Sequence, residues 1–213
     1  WMSGPGNSIS DFYHKLKGSE WDPWEIFIMR NNRCKAVIMR DEITAKNLKK
    51  KKINAKFLGN PMMDFIDNQS IYLNEESSYK KILILIGSRY PEALNNFESF
   101  LACIDKFKQK RKFLILIPLT INADIKRIEE LLIIHKFCQN NEKTFSLEQE
   151  SIWSKNNIFL LLGFSTFNSW AKIADVGLAN AGTATEQIIG LGIPSLSLPG
   201  RGPQFTKSFA KRQ

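Results

Sequence analysis

Three short, almost wholly apolar runs constrain the fold of this chain more than any other feature. They occupy residues 81–86, 113–117 and 158–162. Runs of this kind are typical of strands that are buried on both faces of a parallel sheet. Helical patterns alternate with them at residues 91–108, 124–137 and 168–173. This alternation predicts an α/β fold with a parallel sheet and right-handed crossovers.

Small residues dominate a turn near the end of the chain. A predicted strand from residue 174 leads into Ala181, Gly182 and Thr183, and a predicted helix then carries Glu186. Small residues let a ligand approach the backbone, and a helix N-terminus offers free N–H groups that suit a phosphate. Because such turns lie at the carboxyl ends of strands in open sheets, this one predicts a nucleotide or nucleotide-sugar site.

The first third of the chain has a weaker pattern. Short strands are predicted at residues 36–39 and 55–58, with a helix at 41–50, and the polar stretch 67–78 is the best candidate for a domain boundary. We therefore predict three parts. They are an N-terminal domain tail at residues 1–66, a linker at 67–79 and a Rossmann-like domain at 80–213. Trp1 before Met2, and a helix-like end at 205–213, predict a fragment of a longer protein.

Composition narrows the class of partner. The net charge is +9, with four consecutive lysines at 49–52. This run is either a solvated helix end or a site of attraction to an anionic membrane or acidic substrate. No zinc-finger spacing or aromatic RNA-binding pattern accompanies the charge, so a nucleic acid is not predicted. Three widely spaced cysteines predict reduced thiols in the cytoplasm, and two histidines without a cysteine pair predict no zinc site.

Three motifs follow one another along the chain. They are LGNPM at residues 58–62, GSRYPE at 87–92 and NAGTATE at 180–186. In this order and spacing they resemble nucleotide-sugar glycosyltransferases of the two-domain GT-B class. The likeness is greatest to the lipid-A-disaccharide synthase family over residues 30–213, and the peptidoglycan GlcNAc transferase is a more distant relative.

This resemblance implies an inverting glycosyltransferase of lipid A biosynthesis. Its donor would be UDP-2,3-diacylglucosamine, and its acceptor would be the lipid 2,3-diacylglucosamine 1-phosphate. The enzyme would be cytoplasmic, with peripheral contact at the inner face of the cell membrane, and would need neither metal nor cofactor; a homodimer stays open. The acceptor pocket and general base belong to the N-terminal domain of such enzymes, so the 213-residue chain alone is expected to be inactive.

The resemblance also assigns residues. Arg89 would stabilise the leaving diphosphate, while the loop beside it and the small-residue turn would contact the UDP-sugar. Glu186 would accept hydrogen bonds from the ribose, Phe164 would line the uracil and Gln204 would contact the donor sugar. The remaining contacts would come from Gly87, Ser88, Gly182, Thr183, Ala184 and Thr185.

Each assignment has an alternative. Arg89 could pair with Glu92 at the surface, Thr183 and Glu186 could form a helix capping box, and Phe164 could belong to the core. Two other function classes also stay open. One is a UDP-GlcNAc 2-epimerase-like enzyme, which needs histidine in the cleft. The other is a non-catalytic nucleotide-sugar-binding paralogue.

Overall fold

A computed structural model describes residues 21–64, 78–106, 111–140, 145 and 150–198. The chain divides into two compact units, residues 1–65 and 66–213. No helix within the described ranges is both long and apolar enough to span a bilayer.

The first unit contains a two-stranded parallel sheet, in which β1 pairs with β2. Its elements are α1 (Pro23–Arg30), β1 (Val37–Met39), α2 (Glu42–Lys50), β2 (Ala55–Phe57) and a 3-10 turn (Pro61–Met63). Asp41 caps α2 by accepting a hydrogen bond from the backbone N–H of Thr44 at 2.7 Å. That bond holds the pKa of the Asp41 carboxyl below its ordinary value, although burial opposes the shift. Ala45 and Leu48 form the buried face of α2 and pack in one cluster with Ile53 and Ala55.

The second unit carries the main sheet. Its strands are β3 (Lys80–Leu85), β4 (Phe113–Leu119), β5 (Cys138–Asn140), β6 (Ser151–Lys155), β7 (Ile158–Phe164), β8 (Val176–Ala179) and β9 (Ser195–Leu196). Its helices are α3 (Glu92–Ile104), α4 (Ile125–Ile134), α5 (Phe167–Ile173) and α6 (Thr183–Gly190). The strand order is β5-β6-β7-β4-β3-β8-β9.

Parallel pairing dominates this sheet. The five strands from β7 to β9 run parallel, and β6 and β5 extend one edge in antiparallel fashion. The predicted α/β class, with a Rossmann-like parallel sheet of the GT-B type, is confirmed.

The sheet is covered by helices on both faces, which explains its continuous apolar strands. On one face Ile84 of β3 and Ile117 of β4 join a cluster that includes Phe97 and Phe100 of α3. On the other face Leu83 and Leu85 join a cluster that includes Trp170 of α5 and Ile188 of α6. Successive side chains of β3 are therefore buried in opposite directions.

Two features of the fold differ from the sequence-based expectation. No strand was predicted between residues 137 and 158, yet β5 and β6 form an antiparallel pair there, with Ile152 and Trp153 buried. Helix α4 ends at Ile134 rather than near residue 137, because Lys136 adopts a left-handed conformation with φ of 63°. A non-glycine residue in that region cannot continue a right-handed helix.

Candidate functional site

The loops after β3 and β8 lie side by side at the carboxyl ends of the parallel strands of the main sheet. We call this end of the sheet the site edge. The two strands are parallel neighbours, paired from Ile82 with Val176 to Leu85 with Ala179. From β3 the chain crosses to β4 on one side, and from β8 it crosses to β9 on the other. The strand order therefore reverses between β3 and β8. In open α/β sheets, ligands bind at the carboxyl ends of the strands at such a reversal.

The first of these loops contains Gly87, Ser88 and Arg89. Gly87 has φ of 98°, and a Cβ atom there would lie 3.3 Å from the carbonyl oxygen of Asn180. Only glycine fits this combination of left-handed backbone and close approach without strain. Ser88 and Arg89 are exposed.

The guanidinium of Arg89 has no ion-pair partner among the residues that the structure describes. The alternative that it pairs with Glu92 is therefore wrong. An exposed, unpaired guanidinium at this edge is available to an anion, and its planar shape suits two phosphate oxygens at once.

The second loop leads into α6. The helix begins at Thr183, and its N-cap is Gly182, which has no side chain for capping. The expected capping box needs Thr183 itself at the N-cap, so that alternative is wrong. In the described part of the chain, the backbone N–H groups of Thr183 and Ala184 have no acceptor, as is usual for the first turn of a helix. These two groups lie at the positive end of the helix dipole.

Thr185 differs from the expectation for this turn. Its N–H donates to the carbonyl of Gly182 at 3.1 Å, and its hydroxyl donates to the carbonyl of Ala181. Both groups therefore brace the turn itself. Among the described residues, the backbone N–H of Thr185 thus has an acceptor, whereas those of Thr183 and Ala184 have none.

A chain of buried hydrogen bonds links the two loops. The side-chain N–H of Asn96 on α3 donates to the carbonyl of Ile86 at 2.9 Å. The side-chain N–H of Asn180 donates to the side-chain oxygen of Asn96 at 3.2 Å. The side-chain oxygen of Asn180 in turn accepts from the backbone N–H of Leu198 at 3.0 Å. Three segments at the edge of the sheet are thus tied together by two amide side chains.

Sequence reasoning missed the roles of Asn96 and Asn180. Asn180 was noted only as part of the 180–186 motif, and Asn96 was not noted. A signal for Asn96 existed, because its position falls on the apolar face of α3 that also carries Ala93, Phe97 and Phe100. A polar residue on such a face needs a buried hydrogen-bond partner.

The other predicted site residues have different surroundings. Glu186 is half-buried in the first turn of α6. Phe164 is the last residue of β7 and packs partly against the core cluster that includes Phe97. Because β4 separates β7 from β3, Phe164 lies two strands from the Gly87 loop at the same edge. Gln204 lies outside the described residues.

Tyr90 follows Arg89 and points into the protein. Its hydroxyl is buried and lacks a hydrogen-bond partner in the described ranges. Burial, assisted by the negative charge of Asp124, raises the pKa of the Tyr90 phenol above its ordinary value. The group therefore stays neutral and contributes packing rather than charge to the site.

The histidine within the described residues, His135, lies away from the site edge, at the amino-terminal ends of the parallel strands. His135 Nδ1 is 2.6 Å from one carboxylate oxygen of Asp105, at the end of α3, and Lys155 Nζ is 2.5 Å from the other. Burial alone would raise the pKa of Asp105, but hydrogen bonds from Lys155 and His135 outweigh it and lower that pKa. The described residues contain no group of three His, Cys, Asp or Glu side chains that could hold a metal ion.

Comparison with known proteins gives a structural relative but no family. No protein-family model matches the chain, and the search of curated proteins finds no match either. Among solved structures, the chain is similar to S. aureus MnaA, in a structure with UDP. The TM-score is 0.50 at 15% sequence identity, over 94% of this chain and 55% of that one. At this identity the likeness concerns the fold, and the chain spans about half the length of that relative.

Proposed function

We propose that this chain carries the UDP-sugar-binding part of a glycosyltransferase of the GT-B class. One observation carries the proposal. The Gly87–Arg89 loop and the N-terminus of α6 meet where the strand order of the sheet reverses. The solved structure of S. aureus MnaA with UDP supports the nucleotide-binding part of this proposal, because that protein has a similar fold and was solved with UDP.

The two loops present complementary groups to a diphosphate. The open N–H groups of Thr183 and Ala184 would donate to phosphate oxygens, and Arg89 would approach from the neighbouring loop. As the bond to the sugar breaks, negative charge grows on the departing diphosphate. Fixed N–H dipoles and a guanidinium stabilise such growing charge without reorganising. Glu186 would accept hydrogen bonds from the ribose, and Phe164 and Gln204 would contact the uracil and the sugar.

The more specific proposal is a lipid-A-disaccharide synthase-like activity. An acylated glucosamine would pass from UDP to a lipid-linked sugar phosphate, with inversion at the anomeric carbon. It rests on the order of the 58–62, 87–92 and 180–186 motifs. The net charge of +9 suits a phosphorylated lipid at the inner face of the cell membrane. The acceptor hydroxyl would need a general base from outside the 80–213 segment.

The epimerase-like alternative places a different demand on the site. It needs histidine near the nucleotide, whereas His135 lies with Asp105 at the opposite edge of the sheet. His14 lies outside the described residues.

Nucleotide binding is tested by a thermal shift of the chain with UDP, compared with ADP, GDP and UMP. A ligand that binds only the folded state adds about 2.7 kcal/mol of stability at a hundredfold excess over Kd. We expect a UDP-selective shift that Arg89→Ala and Glu186→Ala diminish. The matched controls are Arg111→Ala and Glu98→Ala, which replace exposed residues of the same type away from the site.

Two results would contradict the proposal. A folded chain that shows no UDP-selective shift would favour a retained scaffold over a binding site. An equal loss of the shift in Arg89→Ala and Arg111→Ala would mean that net charge, rather than this edge of the sheet, attracts the nucleotide. The activity is a separate question: if UDP binds but a two-domain protein that contains this chain transfers no sugar, the non-catalytic paralogue is favoured.

A further inference from the structure

The side chains of Asn96 and Asn180 are almost completely buried, with 8% and 3% of their surface exposed. They stand 84 positions apart in the chain. One comes from the helix that follows the Gly87 loop, and the other comes from the turn that precedes α6. Burying two amides costs free energy unless their polar atoms are paired, and here all four side-chain nitrogen and oxygen atoms have partners.

These bonds fix the parts of the backbone that lie next to the proposed diphosphate site. Asn96 holds the carbonyl of Ile86, directly before Gly87. Asn180 directly precedes the turn that opens α6, and its own backbone N–H donates to the carbonyl of Leu85 at 2.9 Å. The carbonyl oxygen of Asn180 is also the atom that Gly87 approaches. Movement of one loop therefore requires movement of the other.

We propose that Asn96 and Asn180 are positioning residues that hold the Arg89 loop and the N-terminus of α6 at one fixed separation for a nucleoside diphosphate. This inference rests on the proposed function. Neither side chain touches the ligand. Their effect is to keep the open N–H groups and the guanidinium converging on the same anion. Such preorganisation matters most for the diphosphate and least for the nucleoside.

The link also determines how Leu198 is placed. Its N–H donates to Asn180, while the hydroxyl of Ser197 donates to the carbonyl of Ala179 at 2.8 Å. The segment after β9 is thereby anchored to the same turn. A substitution at Asn96 should therefore loosen three segments, although the Asn96 side chain bonds directly to only two of them.

The test is a double-mutant cycle with Asn96→Ala, Asn180→Ala and the double variant, measured on the full 213-residue chain. Dissociation constants for UDP and for uridine are determined by calorimetry at a temperature where circular dichroism shows each variant folded. Asn95→Ala is the matched control, since Asn95 is the exposed neighbour of Asn96 on the same helix. Asn96→Ser is the milder substitute if the alanine variant does not fold.

We expect each single variant to raise the Kd for UDP about tenfold, equivalent to about 1.4 kcal/mol. The Kd for uridine should change far less. Because the two residues act as one link, the double variant should bind UDP no worse than either single variant. Asn95→Ala should bind like the wild type. Amide hydrogen exchange should speed up in segments 86–89, 180–184 and 197–198 in both the Asn96 and the Asn180 variants, and should be unchanged in Asn95→Ala.

The outcomes separate the two claims. If the wild type binds UDP and a folded Asn96 variant binds it equally well, the positioning role is overturned while the proposed function stands. Additive losses in the double variant, or equal losses for UDP and uridine, also overturn it. If the folded wild type does not bind UDP selectively, the proposed function fails and the positioning role fails with it.

Discussion

Replacing Gly87 with alanine tests how closely the first loop is held against Asn180, and Gly192 provides a matched control. Both glycines have a left-handed backbone, with φ of 98° and 80°. They differ in their surroundings. A Cβ atom on Gly87 would lie 3.3 Å from the Asn180 carbonyl oxygen, whereas one on Gly192 would have no neighbour within 4 Å. The control therefore isolates the cost of the backbone conformation from the cost of the contact.

The two costs can be worked out separately. A left-handed residue with a Cβ costs about 1–2 kcal/mol, and alanine recovers about 0.4–1 kcal/mol by restricting the unfolded chain. Gly192→Ala should therefore lower the free energy of unfolding by about 1 kcal/mol. Gly87→Ala carries the same change and adds the crowding at Asn180, for which overpacking costs of about 1–3 kcal/mol are typical. We expect a total loss of about 2–4 kcal/mol.

Urea unfolding of both variants measures these values, and calorimetry with UDP follows on the folded proteins. Gly87→Ala should weaken UDP binding, because the loop must move away from the Asn180 turn. Gly192→Ala should not, because Gly192 lies in the turn between α6 and β9, at the opposite edge of the sheet. Equal destabilisation by the two substitutions would refute the close approach of the loops. Unchanged UDP binding in Gly87→Ala would refute its importance for the site.

Three further predictions concern the rest of the second unit. In Gly163→Ala, the new Cβ would lie 2.7 Å from the ring of the fully buried Trp170, so urea unfolding should show a loss of at least about 1–3 kcal/mol. Tyr90→Phe removes a buried hydroxyl without a described partner, so stability should be unchanged or rise by up to about 1 kcal/mol; a clear loss would reveal a hydrogen bond. Asp105→Asn should cost about 1 kcal/mol or less at neutral pH, because its carboxylate is about one-third exposed. The lowered pKa of Asp105 means that this contribution is present above the carboxyl's unfolded pKa and is lost as the pH falls through its folded value. The unfolding free energies of the wild type and Asp105→Asn should therefore converge as a urea series is carried to acidic pH, and a constant difference would exclude the ion pair as the cause.

The strands of the main sheet were predictable because burial on both faces leaves a plain mark in the sequence. Residues 82–86 carry no polar side chain, and the structure buries all five. The hairpin-like pair of β5 and β6 was not predictable in this way. Lys155, Ser154 and Gln139 interrupt its apolar pattern, because these strands lie at an edge where side chains reach solvent.

The candidate site was predictable loop by loop, since Gly87 and the 180–186 motif are local signals for close backbone approach. It was not predictable from the sequence that the two loops lie side by side. That depends on β8 pairing with β3 rather than with β7, which precedes β8 in the chain. No local pattern near residue 87 or residue 180 encodes this pairing. The side chains of Asn96 and Asn180, by contrast, can be satisfied together only when it forms.

This dependence gives the buried amides a consequence for the fold as well as for the site. If β8 were paired elsewhere, the side-chain oxygen of Asn96 would lose the donor it has in Asn180, and a buried acceptor without a donor costs about 1–3 kcal/mol. Apolar side chains at the same positions would impose no such penalty, because hydrophobic contact is not directional. The Asn96–Asn180 bond thus disfavours other arrangements of the sheet while it aligns the two loops. The residues that make the strand order unambiguous are the ones that place the Arg89 loop and the N-terminus of α6 beside each other.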